Sequence, residues 1–191
     1  MGEGGARASL FCYHTIMVII FTGNGKGKTT AALGQMVRAL GRGRQALMIQ
    51  FIKGPWKSGE DYFGTKFQIP GSRFQVQKMG LGFVGILGDK LPRSAHKRAA
   101  QKALAHFRKE LRSGRWDVIV LDEVNVAVSL KLISSKQVLV AIQYVPFEKL
   151  VILTGRNAPK SFVRRADLVT EMCEIKHPFN RGEIAKLGIE F

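Results

Sequence analysis

Short apolar runs separated by glycine-rich and charged stretches are the dominant pattern along this chain. Runs rich in valine, isoleucine and leucine are typical of buried strands, and six of them predict strands over 16–21, 46–52, 74–78, 117–121, 150–153 and 168–174. Apolar positions that recur every three or four residues predict helices over 29–41, 94–112 and 134–145. Because helices alternate with strands, the pattern predicts an α/β fold with a mostly parallel central sheet and helices on both faces.

Local signals indicate where several helices begin and end. Gly41 and Gly43 suit the end of the first long helix, since glycine readily adopts the left-handed conformation found there. Either Ser134 or Ser135 is placed to cap the helix that follows it. Pro159 fits the first turn of a further short helix.

The length and composition of the chain favour one folded domain. Its 191 residues are 46% hydrophobic, which is enough for a sizeable core. No repeat or interdomain linker interrupts the sequence, so we predict a flexible leader over 1–14 and a single domain over 15–191. The stretch 53–72 is rich in glycine and aromatic residues, which predicts a long functional loop.

A run of glycine, lysine and threonine lies between the first predicted strand and the first predicted helix. Strand, glycine-rich loop and helix, in that order, form the context of a phosphate-binding loop, where backbone N–H groups attract anions. Gly23, Gly25 and Gly27 would let the backbone approach phosphate closely. Lys28 would reach the phosphate oxygens, and Thr29 would offer its hydroxyl to Mg²⁺.

The spacing of this loop is one residue shorter than the common pattern. Three residues instead of four separate Gly23 from Gly27, and Thr22 stands where the first glycine is usual. Lys26 adds a second cation. The alternative is a glycine-rich turn that binds nothing, but the coincidence of strand, Gly-Lys-Thr and helix argues against it.

Two adjacent carboxylates follow the apolar run at 117–121. In phosphate-loop proteins, an acid at this position holds Mg²⁺ directly or through water. An apolar strand ending in Asp-Glu is weak evidence alone and becomes strong when paired with the Gly-Lys-Thr upstream. Asp122 and Glu123 are therefore predicted metal ligands together with Thr29, with no order between the two acids.

Residues after other predicted strands should reach the same edge of the sheet. Arg156 and Asn157 follow one of them, and the arginine can neutralise a phosphate, although a plain turn is an equal alternative. Lys53 either contacts a ligand or is solvated. Phe83 either packs in the core or lines a pocket for a flat apolar ligand, and the usual burial of single aromatic residues favours packing.

The formal net charge of +16 predicts attraction to anions, nucleic acid among them. Cations are dense between Lys90 and Arg115 but mostly lie off the apolar stripe of the helix, which favours a solvated face over a nucleic-acid surface. Two cysteines make no disulfide framework, and no apolar run is long enough for a membrane span. We therefore expect a cytoplasmic protein that does not bind membranes.

A series of segments in the same order resembles the ATP:cob(I)alamin (corrinoid) adenosyltransferase family of the phosphate-loop fold. The matching segments are 22–32, 50–54, 79–80 with 82–83, 121–125, 154–158, 166–172, 176–179 and 188–191. The likeness covers about residues 16–191, and such an ordered series is far more specific than any single motif.

The resemblance implies a single-domain, phosphate-loop NTPase-like (RecA-like) sandwich and an enzyme of cobalamin biosynthesis. Such an enzyme transfers the 5′-deoxyadenosyl group of ATP to the Co(I) of a reduced corrinoid and releases inorganic triphosphate. Since Co(I) is itself the nucleophile, the chain needs to supply none. The resemblance also implies Mg²⁺ or Mn²⁺, a flavoprotein or other reductase for Co(II), and a homodimer.

Carried over residue by residue, the resemblance assigns roles in the site. Catalytic roles fall on Lys28, Glu123 and Phe83. Nucleotide contacts fall on Gly23, Asn24, Gly25, Lys26, Gly27, Lys28, Thr29, Thr30, Arg156 and Asn157.

The chain departs from the family near Phe83, which matches an apolar residue thought to displace the lower axial ligand of Co(II). Better-known members carry a tryptophan two residues later, where this chain has Gly85, and Leu81 replaces a frequent acidic residue. Two other functions remain as alternatives: a polynucleotide-stimulated phosphate-loop ATPase, prompted by the positive charge, and a non-catalytic nucleotide or corrinoid carrier.

Overall fold

A computed structural model describes residues 17–66, 71, 73–86 and 88–189 of the chain. The predicted leader, 1–14, lies outside the described residues, as does the first residue of the first predicted strand. No helix in the described part of the chain is both long and apolar enough to cross a membrane.

Six strands form one sheet. They are β1 (Val18–Thr22), β2 (Ala46–Gln50), β3 (Phe74–Lys78), β4 (Val118–Asp122), β5 (Leu150–Thr154) and β6 (Leu168–Glu171). The sheet order is β3-β2-β4-β5-β1-β6, and all five strand pairs are parallel. The predicted α/β fold is confirmed, with a sheet that is parallel throughout the described residues.

Helices cover both faces of the sheet. They are α1 (Lys28–Leu40), α2 (Gly59–Lys66), α3 (Arg93–Arg112), α4 (Val124–Ser129), α5 (Ser135–Ala141) and α6 (Lys160–Arg165), with a 3₁₀ turn at Pro178–Arg181. One core cluster joins the sheet to α3, α5 and α6 through Phe107, Val138 and Phe162. A second cluster joins the opposite face to α1 through Met36 and Leu40. Because both faces of the sheet are covered by helices, four of the six strands are apolar up to their last residue.

The structure corrects several predicted boundaries. The stretch 53–72 contains a helix, α2, whose first turn is fixed by Asp61, since this side chain accepts a hydrogen bond from Ser58 N at 2.7 Å. The helix predicted over 134–145 ends at Ala141, and the last strand ends at Glu171, three residues early. Gly41 keeps a right-handed conformation, while Gly43 is left-handed with φ 71°.

The start of α5 resolves the choice between two serines. The hydroxyl of Ser134 accepts a hydrogen bond from Gln137 N at 3.2 Å. In return, Ser134 N donates to Gln137 Oε1 at 2.8 Å. This is a capping box, and Ser135 is the first residue of the helix.

A parallel sheet brings the carboxyl ends of all its strands to one edge. Every strand here ends in a polar residue: Thr22, Gln50, Lys78, Asp122, Thr154 and Glu171. Polar chemistry is therefore concentrated along this edge, which we call the carboxyl edge.

Candidate active site

The glycine-rich loop connects β1 to α1 and is shaped by close backbone contacts. A Cβ on Gly23 would lie 2.4 Å from Met172 O, and one on Gly25 would lie 2.6 Å from Cys173 O. Gly27 precedes the first residue of α1 with φ 114°, a conformation that favours glycine. Packing against the backbone after β6 requires glycine at Gly23 and Gly25, and the backbone conformation favours it at Gly27, whether or not a ligand is bound.

The segment after β6 holds this loop in place. Gly25 N donates a hydrogen bond to Met172 O at 2.7 Å, and Met172 N donates to Thr22 O at 2.9 Å. The loop is therefore anchored on its outer side before any ligand binds, and its backbone conformation is preorganised.

Lys28 is almost completely buried at the start of α1, with 8% of its surface exposed. Its Nζ donates to Gly25 O at 2.6 Å, so the side chain folds back over the loop. Burial lowers the pKa of Lys28, the charge of Glu123 opposes this change, and the charge of Arg156 adds to it. The ammonium is positioned to meet an anion bound in the loop.

Asp122 organises the centre of the site from the end of β4. Its carboxylate is fully buried, and Oδ1 accepts hydrogen bonds from the hydroxyls of Thr29 and Thr154, both at 2.8 Å. Its Oδ2 accepts one from Gln50 Nε2 at 3.1 Å. Since Thr29 donates its proton to Asp122, its oxygen lone pairs point elsewhere and are available to a cation.

Glu123 differs from its neighbour in conformation and charge environment. Its backbone is left-handed, with φ 60°, and its N–H donates to Thr154 Oγ1 at 2.9 Å. Burial and the negative charge of Asp122 raise the pKa of Glu123 to about 7, against the opposing charges of Lys28, Lys53 and Arg156. No hydrogen bond or ion pair to its carboxylate occurs among the described residues.

These oxygen atoms suit a hard divalent cation. Thr29, Asp122 and Glu123 together offer hydroxyl and carboxylate ligands of the type that Mg²⁺ prefers. The described residues hold no cluster of three or more histidine, cysteine or acidic side chains that would form a complete metal site. This partial set fits Mg²⁺, which usually takes only one or two protein carboxylates and completes its shell with phosphate oxygens and water.

A second charged network adjoins this centre. Glu60, from α2, forms an ion pair with Lys53 and accepts a hydrogen bond from Gln50 Nε2 at 3.1 Å. Burial would raise the pKa of Glu60, but the hydrogen bond and charge of Lys53 dominate and lower it to about 2. Gln50 therefore links Glu60 to Asp122, a connection that no sequence pattern predicts.

A cavity of about 450 Å³ opens above the loop, within the size range of small-ligand sites. Most of its lining residues are charged or carry hydroxyl groups. The full lining is Lys26, Gly27, Lys28, Thr29, Thr30, Leu33, Lys53, Gly59, Glu60, Glu123, Gly188 and Ile189. We call it the polar cavity.

The remaining predicted nucleotide contacts lie at the same edge but outside this lining. Arg156 and Asn157 are exposed in the turn after β5, and Asn24 is exposed at the tip of the loop. Arg156 is close enough for its charge to affect the pKa values of both Lys28 and Glu123. A Cβ on the intervening Gly155 would lie 3.0 Å from Glu123 Oε2, so this glycine leaves room for the carboxylate.

Phe83 does not pack in the core, so the expectation based on aromatic burial was wrong. Its side chain is 47% exposed and tilts against Trp56, which is 60% exposed, with ring centroids 5.7 Å apart. The indole lies on bare backbone, because a Cβ on Gly82 would come within 2.7 Å of it and one on Gly54 within 2.9 Å. Trp56 was not predicted from the sequence, although it follows the Lys53-Gly54 pair by two residues.

The two aromatic rings border a second, smaller cavity of about 190 Å³, which we call the aromatic cavity. Its lining is Trp56, Leu81, Phe83, Gly88, Asp89 and Lys90. The loop after β2 separates it from the polar cavity, with Lys53 facing one and Trp56 the other. Lys53 and Trp56 are three residues apart, so their Cα atoms are separated by at most about 11 Å.

Comparison with known proteins gives a consistent family. The family described as ATP:corrinoid adenosyltransferase BtuR/CobO/CobP matches this chain over residues 14–191. The corrinoid adenosyltransferase of Escherichia coli strain K12 is 35% identical over 175 residues, which is 92% of this chain and 85% of that protein. Corrinoid adenosyltransferase CobA of Salmonella typhimurium is 36% identical over the same shares of the two chains.

A further relative and one solved structure complete the comparison. The corrinoid adenosyltransferase of Pseudomonas aeruginosa is 36% identical over 92% of this chain and 83% of its own length. The pilus retraction motor PilT with bound ADP aligns with 76% of this chain and 32% of its own, at 17% identity and a TM-score of 0.42. We draw nothing from a structural likeness of that size.

Proposed function

Because this chain belongs to the ATP:corrinoid adenosyltransferase family, we propose that its two cavities hold the two substrates of adenosyl transfer. The polar cavity takes the triphosphate of ATP, and the aromatic cavity takes one face of a reduced corrinoid. The observation that carries this assignment is the loop after β2, which places Lys53 in one cavity and Trp56 in the other.

The reaction is a displacement at the ribose carbon of ATP. The electron pair of Co(I) forms a bond to C5′, the C5′–O bond breaks, and the electron pair of that bond leaves on inorganic triphosphate. Cobalt changes formally from Co(I) to Co(III), so the reduced corrinoid supplies both electrons.

The chain's own residues stabilise the leaving group and orient it. Lys28 lies beneath the bound anion, and Lys26 and Lys53 add positive charge around it. Thr29, Asp122 and Glu123 would hold Mg²⁺ or Mn²⁺, which would supply further charge neutralisation to the departing triphosphate. Asp122 also positions the hydroxyls of Thr29 and Thr154, and this keeps the start of α1 and the end of β5 in register around the site.

The aromatic rings provide an apolar surface for a flat macrocycle. Trp56 is fixed through its carbonyl, which accepts a hydrogen bond from Lys78, a residue that also pairs with Asp61 of α2 at 2.5 Å. Phe83 lies beside it on the adjacent loop. Trp56 supplies aromatic surface in a chain that has Gly85 where better-known family members carry a tryptophan.

Other parts of the proposal rest on the family resemblance. We propose a flavoprotein or other reductase that delivers Co(I), a homodimer, and a cytoplasmic location. Neither polynucleotide binding nor membrane binding forms part of this function.

Product identification tests the proposal. The protein is incubated with ATP, Mg²⁺ and chemically reduced cob(I)alamin, and both products are identified by mass spectrometry. We expect adenosylcobalamin and intact triphosphate from wild type and from Lys136→Ala, which changes an exposed residue of α5, but not from Lys28→Ala. ADP and phosphate with unmodified cobalt would overturn the proposal in favour of a polynucleotide-stimulated ATPase.

A further inference from the structure

The last described residues return to the polar cavity. Lys186, Leu187, Gly188 and Ile189 form a turn, and the last two of them line the cavity. Ile189 O accepts a hydrogen bond from Lys26 Nζ at 2.5 Å. The phosphate-binding loop therefore contacts a residue 163 positions later in the chain. We call residues 186–189 the C-terminal turn.

Two apolar side chains contribute to an otherwise polar lining. One is Leu33, which lies four residues after Thr29 in α1 and therefore about 6 Å further along the helix. The other is Ile189, whose side chain is 56% exposed. A triphosphate has no apolar part, whereas the nucleoside attached to it does. These two apolar side chains therefore suit contact with a nucleoside and not with phosphate.

We propose that the C-terminal turn is part of the nucleotide-binding site, where Ile189 packs against the nucleoside and Lys26 fixes the turn through Ile189 O. The ammonium of Lys26 carries three donors, so one nitrogen serves both the turn and the triphosphate. This inference rests on the proposed use of ATP and adds a residue that discriminates nucleotide from free triphosphate.

One consequence is a coupling between the turn and the ligand. A nucleotide that contacts both Lys26 and Ile189 adds contacts that exist only while the turn lies against the polar cavity. Nucleotide binding therefore stabilises the turn against the cavity, and the turn in that position slows release of the nucleotide.

Binding measurements separate the two parts of the ligand. Isothermal titration calorimetry is performed with Mg²⁺ and either ATP or inorganic tripolyphosphate, on wild type, Ile189→Ala and Ile184→Ala. Ile184 is the matched control, because it is 85% exposed and lies outside the lining. We expect Ile189→Ala to weaken ATP binding about five- to tenfold, from loss of part of an isoleucine contact. Tripolyphosphate binding should be unchanged, and Ile184→Ala should match wild type for both ligands.

Limited proteolysis tests the coupling independently. Trypsin cleaves after Lys186, which lies in the turn, and mass spectrometry follows loss of residues 187–191. We expect saturating ATP with Mg²⁺ to slow this cleavage several-fold in wild type, and tripolyphosphate to slow it less. The protection by ATP should be smaller in Ile189→Ala.

The outcomes distinguish this inference from the proposed function. Wild-type affinity for ATP in Ile189→Ala, or equal weakening for ATP and tripolyphosphate, overturns the inference and leaves adenosyl transfer intact. Cleavage at Lys186 that ATP does not slow also overturns it. A wild-type protein that binds neither ligand overturns the inference and the proposed function together.

Discussion

Two glycines in or near the loop between β1 and α1 have different structural roles. Gly25 is enclosed by backbone, because a Cβ there would lie 2.6 Å from Cys173 O. Gly34, in the middle of α1, has no atom within 4 Å of the position a Cβ would occupy. The same residue type is a steric requirement in the first case and only a loss of helix propensity in the second.

These environments predict opposite effects for one substitution. Gly25→Ala should lower the free energy of unfolding by about 1–3 kcal/mol, since the contact is with backbone that cannot rotate away. Gly34→Ala should raise it by about 0.5–1 kcal/mol, the difference in helix propensity. Urea denaturation of both variants measures these changes, and a stabilised Gly25→Ala would contradict the structure of the loop.

Glu60 gives a prediction for acid stability. Its pKa of about 2 in the folded protein lies below the ordinary value of 4.5, so the ionised carboxylate stabilises the fold above pH 4.5. This contribution is lost as the pH falls from 4.5 towards 2. After allowance for the partial exposure of Lys53, it is on the order of 1–2 kcal/mol.

Comparison of unfolding at several pH values isolates this contribution. Between pH 5 and pH 3, the free energy of unfolding of Glu60→Gln should fall less steeply than that of wild type. Exposed Glu148 provides a control, since Glu148→Gln should follow the wild-type profile. Parallel profiles for wild type and Glu60→Gln would show that the ion pair with Lys53 adds no stability.

Phe83 provides the functional prediction at this scale. Phe83→Ala should slow the reaction that starts from Co(II) by about tenfold or more, and slow the reaction with prereduced Co(I) much less, because a role in displacing the lower ligand matters only before reduction. Phe147→Ala, an exposed aromatic residue outside both cavities, is the control. Equal losses with Co(II) and Co(I) would indicate that Phe83 only shapes the loop.

The sequence predicted which residues lie together where each of them directly follows a strand or begins a helix. Lys28, Thr29 and Glu123 all line the polar cavity, and Asp122 lies directly beneath it, because a strand followed by a loop fixes where its last residue points. Trp56 and Ile189 were not predicted, because neighbouring residues in the sequence do not determine where they lie. Their positions depend on contacts with Gly82 and Lys26, which are distant in sequence.

At the scale of elements, the two helices that were not predicted, α2 and α4, lack a clear helical repeat of apolar residues and depend on tertiary contacts. The sequence of α4 begins Val-Asn-Val-Ala-Val, which alone favours a strand. It becomes helical because Glu123, with φ 60°, turns the chain away from the sheet after β4. Helix α2 contains two glycines and follows from the pairing of its acidic residues with Lys53 and Lys78.

The start of α5 offers a matched test of helix capping. Ser134→Ala removes the acceptor for Gln137 N and should cost about 1 kcal/mol in the free energy of unfolding. Ser135→Ala changes the first residue inside the helix and should be nearly neutral. Thermal denaturation of both variants measures the difference, and a larger loss for Ser135→Ala would contradict the assigned cap.

At the scale of the whole molecule, the parallel sheet explains how both proposed substrate cavities come to lie along one edge. Each strand brings its last residue and the following loop to the carboxyl edge, so the residues proposed to bind phosphate, metal and corrinoid lie along one edge without long connections. The sequence predicted the alternation of elements that produces this edge. It did not predict the order β3-β2-β4-β5-β1-β6, because apolar runs specify burial and not which strand lies beside which.

The position of β1 in that order affects how the protein is made. This strand is synthesised first, yet its two neighbours are β5 and β6, which begin at Leu150 and Leu168. At translation rates of roughly 5–20 residues per second, β1 waits on the order of ten seconds before its partners exist. During that time its apolar residues and the loop that follows have no sheet to join, so the emerging chain carries an aggregation-prone segment that chaperones would need to protect. The proposed nucleotide site therefore begins with a loop that is made long before β5 and β6, the strands that complete the sheet around β1.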